Sequence, residues 1–417
     1  MSCTIIGKPL PRTDALQQVT GRALYGDDIK RPGMLHAKIL RSQYPHARIV
    51  DIDTAAAEAV PGVHCVITAA DIPCNRFGFT HQDQPVLADD KVRCLGDAVA
   101  ALAADSPSIA EKAVRLIKVK YEPLPPVCDP LEAMREGSPR VHDRSNIVSH
   151  LKIRNGDIEA GFMESDVIFE EKLTTPVIEH AAIEPHAAVA EADENGGITV
   201  WASVQRPFTI ASDLSKILKM PLNKIRVIAT AIGGGFGGKN EISFEPLLCI
   251  MAFRTKRPVK LAYSREEEFH ASTVRHPYRM TYKSGLKSDG TLVARQVEII
   301  SDCGPYVTWG ESTLTKALIH AAGPYRIPYT KIDAYLVYTN NPVGGAMRGF
   351  GVTQLGFAYE THMDTIAAEM KISPAGLRLK NMLRDNDILI TGQRVETVTL
   401  RETMKKAFAL AGWEDQT

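Results

Sequence analysis

Five of the seven residues Gly233-Gly234-Gly235-Phe236-Gly237-Gly238-Lys239 are glycine, and this run restricts the fold more than any other stretch. Without Cβ atoms the backbone can take positive φ, turn tightly and approach another segment or a ligand closely. The β-branched run Ile225-Arg226-Val227-Ile228 before it predicts a strand, and Glu241–Phe253 after it predicts a helix. A glycine loop between a strand and a helix start can aim several backbone N–H groups at an anion. The run almost fits GxxxxGK[ST], but its eighth position is Asn240, whose amide cannot replace the hydroxyl that holds magnesium in a P-loop. GxGxxG is not met either, because Phe236 interrupts one frame.

A second glycine loop, Gly344-Gly345-Ala346-Met347-Arg348-Gly349-Phe350-Gly351, precedes a predicted helix over Gln354–Met370. Leu355, Ala358, Tyr359, Met363, Ile366 and Ala367 give that helix one apolar face. Arg348 is a permanent, multi-donor cation among flexible glycines. Phe236 and Phe350 each sit inside a glycine loop, either as local packing or as two aromatic faces beside a planar substrate. Lys316 precedes Ala317-Leu318-Ile319-His320 and could meet a carboxylate, although isolated lysines are mostly solvated. Glu179, His180, Glu184 and His186 invite a metal reading but fail HExxH, and Pro185 opposes a helix through both histidines. We read them as loop and core residues. On residue chemistry alone the chain is an anion-binding enzyme with an aromatic pocket.

At 417 residues the chain has room for two or three domains. The first block is mixed α/β: strands over Met34–Leu40, Val63–Thr68, Leu95–Ala104 and Ile117–Tyr121, and a helix over Ser106–Arg115 with Ser106 as N-cap and Pro107 at N1. Later come two hairpins, Ala187–Glu191 with Ile198–Ala202 around Asn195-Gly196, and Tyr278–Leu286 with Leu292–Ser301. Lys plus Arg and Asp plus Glu are both 49, so no basic excess points to nucleic acid. No run is long enough to cross a bilayer, and the start has no signal-peptide core, which implies the cytoplasm. The seven cysteines are scattered, unlike the clusters of iron–sulfur or structural zinc sites. We expect most of them to be buried small hydrophobes.

The segments Gly21–Asp28, Leu95–Asp105, Gly233–Lys239 and Ala346–Gly351, in this order, resemble the large subunits of the xanthine dehydrogenase family of molybdenum hydroxylases. The resemblance implies an α+β fold. It places an N-terminal α/β-hammerhead domain at residues 15–130, a linker at 131–150 and the N-terminal half of a molybdopterin-binding domain at 151–417. It also implies a molybdenum–molybdopterin cytosine dinucleotide cofactor, with a selenido ligand in one branch. The pterin dithiolene would hold the metal, so no protein metal ligand is expected. Gly235, Phe236, Gly237, Gly238, Ala346, Met347 and Arg348 would contact the cofactor, and Arg348 would have the catalytic role near the metal's oxygen or the substrate. Phe236, Asn240, Lys316 and Phe350 would bind substrate. Electrons would leave through 2Fe-2S clusters and FAD on partner subunits.

Four departures from the family pattern shift the substrate expectation. Ile178 stands where the family has a glutamine, Asn240 where it has a purine-binding glutamate, and Lys316 where it has an arginine. The Gly-x-Gly-Glu motif that carries the base is not in this sequence. This arrangement is similar to that of the split nicotinate dehydrogenases of anaerobic bacteria. It implies a small aromatic carboxylate, nicotinate, hydroxylated at C6 with water as oxygen source and NADP as final electron acceptor. A medium molybdopterin subunit would then bring the catalytic glutamate, alongside the 2Fe-2S and FAD subunits. The alternatives are a split hydroxylase for a purine, aromatic aldehyde or aromatic acyl-CoA, or a cofactor-free assembly subunit.

Overall fold

The computed structural model describes residues 4–413; Cys3 and residues 414–417 lie outside them. Seven strands form the first sheet, in the order Ile225–Ala229, Ile198–Ala202, Ala187–Ala192, Val259–Ala262, Leu35–Arg41, Ala98–Ala104, Val63–Thr68. Strands from before residue 130 and from after residue 150 therefore share one sheet. They join where Leu35 and His36 pair in parallel with Val259 and Lys260. The expected first hairpin is present, and its turn is closed by Asp193 Oδ1, which accepts from Asn195 N and Gly197 N.

The alanine-rich strand Ala98–Ala104 is almost wholly buried. Small side chains let both of its faces be covered. Ala101 and Ala103 join the core that contains the helix Glu245–Thr255, while Ala100, Leu102 and Ala104 pack with the helix Pro107–Val114. The latter helix has its expected cap: Ser106 Oγ accepts from Ile109 N, and Pro107 opens the first turn.

A second sheet has five strands, ordered Val167–Thr174, Tyr278–Leu286, Leu292–Gly304, Tyr329–Tyr338, Ile147–Asn155. Burial alternates along Tyr278–Leu286 and Tyr329–Tyr338, as expected when one face packs on a core. Leu292–Gly304 and Tyr329–Tyr338 run parallel. Such a pair needs a crossover, and the helix Gly310–His320 supplies it. The sequence reading assigns no element to Ile147–Asn155, Gly310–His320 or Tyr329–Tyr338.

Three boundaries differ from expectation for local reasons. The helix after the first glycine loop runs over Glu245–Thr255, not from Glu241, because Pro246 favours the first helical turn and Glu245 Oε2 accepts from Ser243 N. The strand expected from Leu95 begins at Ala98, after a turn in which Gly96 has φ +88° and Asp97 accepts from Arg93 N. The stretch 131–150 contains the end of a short helix, Pro130–Ala133, and the start of the strand Ile147–Asn155. Cys94, Cys249 and Cys303 are buried as expected, but Cys65 and Cys74 are half-buried and Cys128 is exposed. Among the described residues no helix is long and apolar enough to cross a membrane.

Leu102 fills a fully buried position. Leu102→Ala should lower stability by about 2–5 kcal/mol, whereas Ser106→Ala should cost only about 1 kcal/mol. Urea unfolding of the two variants measures both.

Candidate functional site: two glycine loops in contact

The first loop is fixed from beneath by side chains distant in sequence. Lys239 is 1% exposed and its Nζ donates to Glu184 Oε2 at 2.7 Å and Glu184 O at 2.9 Å. The same carboxylate accepts from Gly233 N at 2.8 Å and, through Oε1, from Gly26 N at 3.1 Å. Gln205 Oε1 accepts from Gly237 N at 3.0 Å. Lys239 therefore anchors the loop from inside and does not reach out as a phosphate ligand.

The second loop lies directly against the first. Arg348 N donates to Phe236 O at 2.8 Å, and His180 Nε2 lies 2.8 Å from Ala346 O. Gly237 has φ +108°, and a Cβ there would collide with the backbone of Ala346 and Met347. Gly344 and Gly345 are equally crowded: a Cβ would stand 2.5 Å from His276 Cδ2 at the first and 2.5 Å from Thr273 at the second. These glycines are needed for close approach between protein segments.

Backbone strain gathers here. Lys219, Lys256 and Lys371 take positive φ where they close helices, a common role for that conformation. Asn386 and Thr397 take it in C-terminal turns, whereas Ala181, Phe236, Thr308 and Phe350, at φ 50°, 51°, 42° and 52°, surround the loops. Such residues persist where surrounding contacts over-determine them, and they concentrate at functional sites. The two phenylalanines thus share one strained conformation in two loops.

Phe236 is 46% exposed, and Arg348 is exposed. Phe350 meets Trp309 edge-on at 6.2 Å, Trp309 stacks on Phe79 at 4.0 Å, and the Arg206 guanidinium sits 4.7 Å from the Trp309 ring centre. Asn240 lines a small cavity of about 30 Å³ with Phe79, Thr308 and Trp309. Sequence reasoning missed Phe79, Arg206 and Trp309, because only the fold brings them beside Phe350. Lys316 is exposed on the helix Gly310–His320, whose Thr313 and Ala317 pack on Gly351. Ile178 is half-exposed, and its carbonyl accepts from Arg275 N, while the Arg275 side chain donates to Arg348 O.

The Glu179–His186 segment has structural partners. His186 Nδ1 is 2.7 Å from Glu268, and its Nε2 faces Gly238 O. Burial disfavours its charged form, but the Glu268 carboxylate outweighs that and raises its pKa. Burial lowers the pKa of His180 and takes that of His276 down to about 4. Glu241, whose Oε1 accepts from Ala346 N, is raised to about 7 by burial, with Thr273 and the Ala346 N–H opposing. Among the described residues no group of three His, Cys, Asp or Glu side chains could hold a metal ion. The donor set at the loops is backbone N–H, the exposed Arg348 guanidinium and aromatic faces. That set fits a large anionic organic cofactor better than a bare cation.

Comparison with known proteins agrees with this geometry. Residues 141–382 match the molybdopterin cofactor-binding domain, and residues 20–125 match the hammerhead domain of aldehyde oxidase and xanthine dehydrogenase. The chain belongs to the xanthine dehydrogenase family of molybdenum hydroxylases, and its α+β fold is a hammerhead domain followed by a molybdopterin-binding domain. It is 42% identical to a probable xanthine dehydrogenase subunit of Bacillus subtilis over 92% of this chain and 52% of that protein. It is 39% identical to the nicotinate dehydrogenase large molybdopterin subunit of Eubacterium barkeri over 97% of this chain and 95% of that subunit. The structure of the Desulfovibrio gigas aldehyde oxidoreductase superposes with a TM-score of 0.92 at 30% identity, over 98% of this chain and 47% of that one. The chain thus spans about half the length of the first and third proteins and nearly all of the second.

Lys239→Met would leave the Glu184 carboxylate buried and unpaired, at a cost of about 3–5 kcal/mol. Lys316→Met, at an exposed position, should change stability by less than about 0.5 kcal/mol; thermal unfolding separates the two lysines. The lowered pKa of His276 gives a second expectation. A histidine held neutral in the fold contributes stability that is present above its unfolded pKa and lost as pH falls toward the folded value. Between pH 7 and 5 the wild type should therefore lose of order 1–2 kcal/mol more than His276→Gln. Urea midpoints at the two pH values check it.

Proposed function

We propose that this chain is the large molybdopterin subunit of a split molybdenum hydroxylase, and that its substrate is nicotinate. The observation that carries this reading is the match with the Eubacterium barkeri subunit, which is coextensive with the present chain. The product would be 6-hydroxynicotinate, with oxygen from water and NADP as final electron acceptor, in the cytoplasm. We take residues 15–130 as the hammerhead domain, 131–150 as the linker and 151–417 as the cofactor domain's N-terminal half.

Gly235 to Gly238 and Ala346 to Arg348 would hold the cofactor, in the cytosine dinucleotide form with a selenido ligand. When bound, that group supplies oxygen transfer and accepts the electron pair from the substrate. The protein's residues orient and hold. The strained Phe236 and Phe350 would keep the pyridine ring between aromatic faces. Arg348, whose backbone is tied to Phe236 and Arg275, would point its permanent charge toward developing negative charge, which makes it the catalytic residue of this chain. Lys316 would pair with the substrate carboxylate, and Asn240 would offer an uncharged amide beside the ring.

A medium molybdopterin subunit would complete the site with the base, and 2Fe-2S and FAD subunits would carry electrons away. Support for a docked partner comes from Ile183 and Phe208, which are 91% and 89% exposed. Ile183 adjoins the loop anchor Glu184, and Phe208 follows the Arg206 that stacks on Trp309. A partner that covered both side chains would remove that apolar surface from water.

A second reading, a purine hydroxylase, is favoured by the Bacillus subtilis relative. The native complex, assayed on nicotinate and on xanthine, decides between them. Efficient nicotinate turnover supports the proposal, and xanthine turnover without nicotinate activity overturns it. Lys316→Met should raise KM for nicotinate by about 10- to 100-fold, the loss of one charged contact, with a smaller effect on kcat.

A further inference from the structure

A cavity of about 100 Å³ lies where the N-terminal strands meet the segments that follow the first loop. Arg41, Asp97, Gly238, Glu241, Tyr263 and Thr273 are among its walls. Three of these side chains keep a buried polar atom without a well-aligned hydrogen-bond partner: Arg41 Nε, Glu241 Oε2 and Thr273 Oγ1, the last lying close enough to the Glu241 carboxyl to favour its charged form. The other atoms of the charged groups are engaged. Arg41 donates to Gly96 O at 3.0 Å and to Tyr263 Oη at 2.8 Å, and Glu241 Oε1 accepts from Ala346 N at 3.4 Å. Asp97 is not free for a ligand, since its oxygens face Arg93 N, Cys94 and Tyr306.

Buried polar groups almost always find a partner, in the protein or in ordered water. A water needs about 10–15 Å³ of such space, so the cavity has room for several. Its charges choose the ligand. The open donor belongs to a guanidinium and the open acceptor to a carboxyl, with a hydroxyl that serves either way. An anion would face Glu241, and a cation would face Arg41. A neutral molecule that both donates and accepts satisfies all three.

We propose that this cavity holds a cluster of bound water joining Arg41 Nε, Thr273 Oγ1 and Glu241 Oε2, and that Glu241 is a positioning residue tying the second glycine loop to the N-terminal strands through it. Arg41 and Glu241 come from opposite halves of the chain, so the cluster links the hammerhead side to the loop pair. Glu241 and Thr273 flank Gly345, where a Cβ would stand 2.9 Å from Glu241 Oε1 and 2.5 Å from Thr273 Oγ1. Losing the carboxyl would free the loop just before Ala346, Met347 and Arg348. The consequence for cofactor retention rests on the proposed function; the water cluster itself does not.

Two measurements test it. A high-resolution crystal structure of the native complex should show water density within hydrogen-bond distance of all three atoms. An empty cavity, a monatomic ion or a direct contact between Glu241 and Arg41 would overturn the assignment. In parallel, Glu241→Gln, Glu241→Leu, Arg41→Met and the double variant Arg41→Met with Glu241→Leu are compared by melting temperature and by molybdenum per complex. Glu241→Gln, which can still accept from Ala346 N and bond to water, should keep most of the molybdenum, while Glu241→Leu loses it several-fold. The double variant should lose little more than the worse single one, because neighbours that share a partner are not additive. Equal behaviour of Gln and Leu, or strictly additive losses, would refute the positioning role. Where the wild-type complex itself carries no molybdenum, the proposed function fails, and the melting-temperature cycle and the density still decide this inference.

Discussion

The Glu184–Lys239 ion pair is the interaction on which the glycine loop depends. A glycine run has no side chains with which to define its own path, and its conformational entropy is high. One carboxylate answers both problems, since it takes the Lys239 ammonium, the Gly233 N–H and the Gly26 N–H together. Desolvating two charges is costly, so such a pair is poor evidence for stability as such. Its value here is geometric: Glu184 holds both ends of the loop and draws in the N-terminal segment.

From that anchor the remaining geometry follows. Gln205 fixes the Gly237 N–H, and Gly237 lets the second loop approach until Arg348 N reaches Phe236 O. His180 closes the same contact from the other side, against Ala346 O. The two phenylalanines are then left in matching left-handed conformations, one nearly half exposed and one leaning on Trp309. The continuous seven-stranded sheet, joined at Leu35 and Val259, sets the hammerhead strands beside this arrangement. Phe79 can therefore reach Trp309 from the N-terminal block.

Much of this was legible in the sequence, and the limits have physical reasons. Glycine density marked both loops, and the phenylalanines within them stood out because bulky residues rarely interrupt such runs. The Asn195-Gly196 turn and the Ser106 cap were legible because short-range hydrogen bonds set them. Glu184 drew notice only as one of a possible metal set; nothing local says that its partner is a lysine 55 residues later. The stack of Phe79, Trp309 and Arg206 depends on tertiary placement in the same way. The helix start at Glu245 was displaced because residues 241–244 serve the loop contact and the cavity. The strand Tyr329–Tyr338 alternates correctly, but its place in the sheet is set by a parallel partner across the helix Gly310–His320 and by an antiparallel one far upstream, Ile147–Asn155.

The central claim is that these two loops together form one wall of a molybdenum–pterin site. Anomalous scattering at the molybdenum edge, from crystals of the native complex, tests it most directly. The account predicts one strong molybdenum peak beside Phe236–Gly237 and the Arg348 side chain, facing the partner subunit. A molybdenum peak bound elsewhere in the complex, with the loop pair facing only solvent or protein, would contradict it.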